Sequence, residues 1–289
     1  MVATIIAFVI LIIVLLAAGA RREKAELQVI KDLAEFDGRL TGTPGNHAAY
    51  MYLLGKIKAM RPEELPWAPG FTHEFYDDHQ RIRNIVFQKK GITPKTLLIM
   101  AHYDHIGPGF PGCNDNASGV YGLLRIAESV MRSAIRPQYN VVFALTDCEE
   151  YGKVGSAAIS EIIRPDVVIN LDTMGGYPKG SPIFVANNGN FSEYFRQTAA
   201  EKNINIRLVG ITPGRSDITH FLNATKCVEF GYMLGEYHTT TDTYENLNLE
   251  NLNVLVDLAI GLAHHIAFDR GLDEVASNPI QLYTAPKGL

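Results

Sequence analysis

Cysteine is scarce in this chain: Cys113, Cys148 and Cys227 form an odd set of three with no CxxC spacing. That pattern excludes a disulfide framework and a structural zinc finger, and it reads as three small buried side chains with at most one bridge. Long basic runs are missing too. With Lys+Arg at 26 against Asp+Glu at 31, the formal charge is −5. The chain therefore lacks an electrostatic footprint for phosphates, and no nucleic-acid partner is expected. Neither an internal repeat nor a domain-sized linker interrupts it, so most of the 289 residues go into one sizeable core.

Charge is also absent from Val2 to Ala20 (VATIIAFVILIIVLLAAGA), which Arg21, Arg22 and Lys24 follow closely. At about 1.5 Å per residue this run spans roughly the hydrocarbon core of a bilayer. Residues 1–20 accordingly read as a membrane anchor. Ala18-Gly19-Ala20 resembles a signal-peptidase site, so a cleaved signal and a secreted domain stand as the alternative. The basic cluster, taken alone, holds the domain on the cytoplasmic side. The globular domain then covers 21–270, and 271–289 is a tail.

Within the domain, apolar periodicity predicts helices over 21–37, 47–60, 118–132, 154–163, 191–202 and 249–267. Strand-like runs are FTHEFY (71–76), RIRNIVFQ (81–88), TLLIMAHY (96–103), VVFALTD (141–147) and VVINLD (167–172), with shorter ones near 182–186, 205–210 and 227–232. Uninterrupted apolar strands alternating with helices predict an α/β domain with a mixed, largely parallel central sheet, flanked by helices. Ligands in such sheets bind beyond the carboxyl ends of the strands.

Five residues with metal-ligand chemistry sit in five loop-like stretches, several directly after those strands: His102 (AHYDH), Asp115 (CNDNASG), Glu150 (TDCEEYG), Asp172 (NLDTMGG) and His238 (EYHTTTD). Two imidazoles and three carboxylates suit a pair of divalent cations, zinc above all. Asp104 is suited to accept a hydrogen bond from the second ring nitrogen of His102. A carboxylate at Asp115 could bridge two cations, although Asp115 or Asn116 could equally cap the helix that follows. Glu149 and Glu150 are adjacent acids that would repel if merely buried. Both are explained if one binds metal and the other takes a proton from water; an exposed acidic turn is the plainer reading. A surface histidine is the plainer reading of His238.

Taken together, HxD, NDNASG, EExGxxGS, NLDxxG and YHTxxD resemble, in this order, the co-catalytic di-zinc aminopeptidases. These are the bacterial leucine-aminopeptidase-like metallopeptidases related to glutamate carboxypeptidases and glutaminyl cyclases. The resemblance covers roughly residues 35–267, and TGTPGNHAAY is similar to the family's helix entry. It implies that Asp115 bridges two zinc ions, with His102 and Asp172 completing one site and Glu150 and His238 the other. It further implies Glu149 as general base, Asp104 as the partner of His102, and Tyr237 as a stabiliser of the oxyanion. SDITHF (216–221) is similar to the family's SDHxxF, but Ile218 stands where the family has histidine, and no role passes to His220. The implied activity is release of the N-terminal residue from peptides with a free amine. Alternatives are a glutaminyl-peptide cyclase, or a non-catalytic ectodomain of the same fold. The family usually acts outside the cytoplasm, which places an anchored domain extracytoplasmically, against the charge asymmetry.

Overall fold

The computed structural model describes residues 27–268 except 79, 190, 224–225 and 232–234. The apolar segment 1–20 and the tail 271–289 therefore lie outside the described residues.

Eight strands form one sheet in the order β1-β2-β4-β3-β5-β8-β6-β7. They are β1 (Thr72–Asp77), β2 (Gln80–Lys89), β3 (Thr96–His102), β4 (Asn140–Thr146), β5 (Val167–Leu171), β6 (Ile183–Asn187), β7 (Ile206–Gly210) and β8 (Lys226–Phe230). The central strands β4, β3, β5 and β8 are mutually parallel. These are the continuously apolar runs: every residue of β5, and all but the first of β3 and β4, is buried. Antiparallel pairing is confined to β1–β2, β2–β4 and β6–β8, nearer the edges.

Side chains alternate between the two faces, as strand period 2 requires. Leu97, Ile99 and Ala101 join the larger core, with Leu53, Leu123 and Leu262 from the helices. Leu98 and Met100 join the smaller one, with Ile159 and Phe221. The flanking helices are α1 (described over 27–34), α2 (Pro44–Met60), α3 (Ser118–Arg132), α4 (Val154–Ile162), α5 (Ser192–Lys202) and α6 (Leu249–Phe268). α2 begins a little earlier than its periodicity predicts: Pro44 sits in its first turn, and the Thr43 hydroxyl accepts Asn46 N–H at 3.3 Å. α6 is long and apolar enough to cross a membrane by length and composition. It instead packs on α3, burying Leu252, Leu255, Leu262 and Ile266.

From β3 the chain passes through α3 to β4 on one side, then through α4 to β5 on the other. The strand order thus reverses at β3. A crevice opens at such a switch point, beyond the carboxyl ends of the strands, and His102 is the last residue of β3.

Candidate metal centre

Four loops meet in that crevice. His102 ends β3, and the turn after β4 carries Glu149 and Glu150. Asp172 follows β5, and a kinked turn over Cys113–Ala117, with Asp115 in a non-helical conformation, leads into α3. The loop over 235–242 adds His238 from across the crevice.

Two trios result. In the inner one, His102 Nε2 lies 3.2 Å from Asp115 Oδ1 and 3.8 Å from Asp172 Oδ1. In the outer one, His238 Nε2 lies 3.2 Å from Asp115 Oδ2 and 2.7 Å from Glu150 Oε2. Within each trio the donor atoms fall within 4.8 Å of one another. Two ligand atoms each about 2.1 Å from a zinc ion at a tetrahedral angle lie about 3.4 Å apart, so both trios have the spacing a cation needs. Asp115 belongs to both, one oxygen to each. The second oxygen of Glu150 is buried with no hydrogen-bond donor. An orphaned buried acceptor is costly in a protein interior and is satisfied by a cation.

Charge tells the same story. Burial works against ionised Asp115, yet hydrogen bonds from His102 and His238 hold its carboxyl well below the usual range. Burial raises Glu149 to about 9, with Asp217 and Asp172 adding to the effect and His102 opposing it. Glu150 rises to about 7, again by burial, with the His238 hydrogen bond opposing. Hydrogen bonds to Asp115 and Glu150 lift His238 to about 10. Left to itself the pocket thus gathers protons on Glu149, Glu150 and the imidazoles of His102 and His238, and divalent cations are the species that displace them.

The surrounding polar residues hold these loops in place. Asn116, not Asp115, takes the capping role: its amide oxygen accepts Gly119 N–H at 3.0 Å and Thr173 N–H at 3.2 Å. Its amide nitrogen donates to Leu171 O at 2.9 Å. The Asp115 carboxylate is left for the crevice. Gly119 allows this contact, since a Cβ there would lie 2.3 Å from both Asn116 Oδ1 and Leu171 O. The Asn114 side chain accepts Gly175 N–H at 2.9 Å and donates to Glu236 O at 3.0 Å, tying three loops together. The Asp242 carboxylate accepts the backbone N–H groups of Asn114 and Asp115. Three residues at or beside candidate ligands, Cys148, Thr173 and His238, have φ of 63°, 54° and 51°. Left-handed backbone at non-glycine residues costs on the order of 1–3 kcal/mol each and persists only where the surroundings enforce it.

Asp104 is fully buried, and its carboxylate does more than face His102. Its oxygens accept Glu149 N–H at 3.1 Å and Glu150 N–H at 3.2 Å, fixing the diacid turn. Its approach to His102 Nδ1 is 3.5 Å, long for a hydrogen bond, so that pairing is chiefly electrostatic here. Glu149 is itself buried, with Lys153 Nζ at 3.3 Å from Oε1, so the diacid turn is not an exposed acidic surface. Tyr237 is half-buried, its ring edge-on to His238 at 5.4 Å. Ile218 is buried in the smaller core, and its neighbour Asp217 bonds to Thr146 beneath Glu149. All three cysteines are buried free thiols.

Several contributors carried no sequence signal of their own. Arg39 is 1% exposed and donates to the carbonyls of Tyr103, Leu33, Pro111 and Gly112 at 2.9–3.0 Å, placing a cation beneath the acidic pocket. Asp147 accepts from Thr41, Asn46 and Arg83 N–H, and burial lifts it to about 6. Burial lowers His105 to about 3, with Arg39 adding to the effect; its ring stands 6.2 Å from that of His238. Asp147, His105 and Asp242 lay inside quoted stretches without a role read for them, and Arg39 lay in none.

Comparison with known proteins follows the same lines. Residues 84–263 match the family model described as peptidase family M28. The leupeptin-inactivating enzyme 1 of Streptomyces exfoliatus is 26% identical over 213 residues, covering 70% of this chain but 46% of that enzyme. The chain thus spans about half the length of the curated relative it matches. The zinc aminopeptidase BSAP of Bacillus subtilis superposes with a TM-score of 0.58 at 25% identity, over 67% of this chain and 52% of that one. Two structures share the fold at lower identity. The LapA aminopeptidase of Legionella pneumophila has a TM-score of 0.69 at 19% identity, covering 84% of this chain and 71% of its own. The glutaminyl cyclase of Porphyromonas gingivalis has a TM-score of 0.69 at 20% identity, covering 84% and 97%.

Proposed function

Since the chain belongs to peptidase family M28, we propose that it is a metal-dependent aminopeptidase with two adjacent divalent cations, zinc being the best match to the donors. The observation that carries this reading is Asp115, whose two oxygens each face a different His-carboxylate trio. His102, Asp115, Asp172, Glu150 and His238 would hold the cations, which when bound would supply polarisation of the scissile carbonyl and acidification of a water. Glu149 accepts the water's proton and later delivers it to the leaving amine. Its burial beside Asp172 and Asp217 suits a carboxyl that both takes and returns a proton. Asp104 holds the diacid turn in register, and Tyr237 offers a phenol to the oxyanion. The acidic surroundings of Glu149 and Asp172 favour a substrate with a free N-terminal amine. In the same reading, residues 2–20 anchor the domain on the extracytoplasmic face of a membrane.

A panel of aminoacyl-anilides with free and blocked amines tests the activity. The expected outcome is cleavage of the free-amine substrates only, whereas cyclisation of N-terminal glutamine with no peptide cleavage would replace this reading with a cyclase. Glu149→Ala should keep its metal and lose turnover on the order of 10²–10⁴-fold. Near-normal activity would remove Glu149 from the role of base.

A further inference from the structure

We propose that the pole of the domain opposite the candidate metal centre, formed by loops 89–96 and 132–139, rests on an anionic lipid surface. The inference depends on residues 2–20 being a membrane segment, and it adds which face of the domain meets the bilayer.

These loops lead into the amino ends of β3 and β4, so the length of both strands separates them from His102 and Glu149. Among the described residues they present two of the six large exposed hydrophobic side chains, Ile92 at 59% and Ile135 at 68% exposure. Between them they carry Lys89, Lys90, Lys95, Arg132 and Arg136 and no acidic residue, in a chain whose net charge is −5. Lys89 turns inward to Val130 O and Ser133 O, while Lys90, Arg132 and Arg136 are exposed. Acidic neighbours border the patch without filling it. Glu128 pairs with Arg132 at 3.0 Å, Glu63 accepts Lys90 N–H at 3.0 Å, and Asp166 accepts Thr96 N–H at 2.8 Å.

The platform is firm. Ile92 N–H donates to Pro137 O and Thr93 N–H to Gln138 O, both at 2.9 Å. Apolar side chains within a basic rim match an interface where hydrocarbon meets anionic headgroups.

Chain entry picks out the same pole. The far end of α1 lies near the metal centre, where Leu33 O accepts from Arg39. Val29, near the start of the described helix, instead shares a groove with Met60, Met131 and Arg132, at the opposite ends of α2 and α3. The start of the described α1 therefore lies at the basic pole, and the apolar run 2–20 with Arg21, Arg22 and Lys24 precedes it in sequence. Seated this way, the crevice opens away from the bilayer.

The test uses the full chain in vesicles of phosphatidylcholine and phosphatidylglycerol containing spin-labelled lipid. Ile92→Cys, Ile135→Cys and, at the metal pole, the exposed Lys179→Cys each carry a fluorophore; the native thiols are buried and stay unlabelled. Vesicle flotation reads the anchor separately. The expected result is flotation of all three, loss of fluorescence at 92 and 135, and none at 179. Lys90→Glu with Arg136→Glu should restore the fluorescence while flotation persists. Flotation with no loss at 92 and 135 overturns the proposal and leaves the anchor standing. Equal loss in pure phosphatidylcholine removes the anionic lipid, cross-linking of Ile135→Cys between copies makes the patch a dimer interface, and failure to float removes both readings.

Discussion

The two halves of the candidate metal centre share Asp115 but are built differently. The inner trio, His102, Asp115 and Asp172, is buried and grows from the ends of β3 and β5 in the middle of the sheet. The outer trio adds Glu150 from a turn and His238 from a loop, and the His238 side chain is 40% exposed. The sheet positions the first directly. The second depends on fastenings: Asp242 to the 113–117 turn, Asn114 to Glu236, and Asp104 to the diacid turn. If the proposed pair of cations binds here, Asp115 would join a rigid site to a more accessible one, and the outer position should exchange its cation first.

The most damaging way to break this arrangement is Asp115→Asn, which weakens both trios at once. Metal affinity should fall by more than the about 10–100-fold typical of losing a supporting residue, and activity should vanish with it. His238→Ala should instead empty the outer position alone, leaving one ion after dialysis, while His102→Ala should disturb both. Identical metal contents for these two variants would erase the distinction. Arg39→Met strikes beneath the inner half, leaving four buried carbonyls and an acidic pocket without their cation. Urea denaturation should show a loss of about 3–5 kcal/mol.

A smaller effect is expected of Asp104→Asn, which keeps the shape but removes the charge behind His102. Competition with a chelator should reveal affinity weakened by about 10–100-fold. The smallest concerns Glu229, buried near Asp172, whose pKa burial raises from 4.5 to about 7. Between those values the folded state holds a proton that the unfolded chain has released, so stability of the metal-stripped protein falls as pH rises from about 4.5 to about 7. Glu229→Gln should flatten that decline, as read by Tm against pH.

The same contrast explains what could be read from the chain. The central strands were legible because both faces are covered, so TLLIMAH, VVFALT and VVINL read as continuous apolar runs. His102, Glu150 and Asp172 were legible because they end such runs among turn formers, and Asp115 and His238 because they sit in NDNASG and YHTxxD. Strand order and the antiparallel pairings of β2 and β6 were not, since pairing partners leave no mark on a single strand's pattern. Arg39 and Asp147 were hidden for a related reason: each is one polar residue in an ordinary turn, and only the folded structure shows the carbonyls and amides converging on it. Asn116 and Asp115 were equally plausible caps from spacing alone, and packing against Leu171 and Thr173 decides between them.

Metal content of the purified full chain, followed through stepwise dialysis against a chelator, tests the shared-carboxylate centre most directly. Two divalent ions per chain, leaving in two separable steps with Tm falling at each, is the predicted result. A single ion, or metal removal that leaves Tm unchanged, would contradict it.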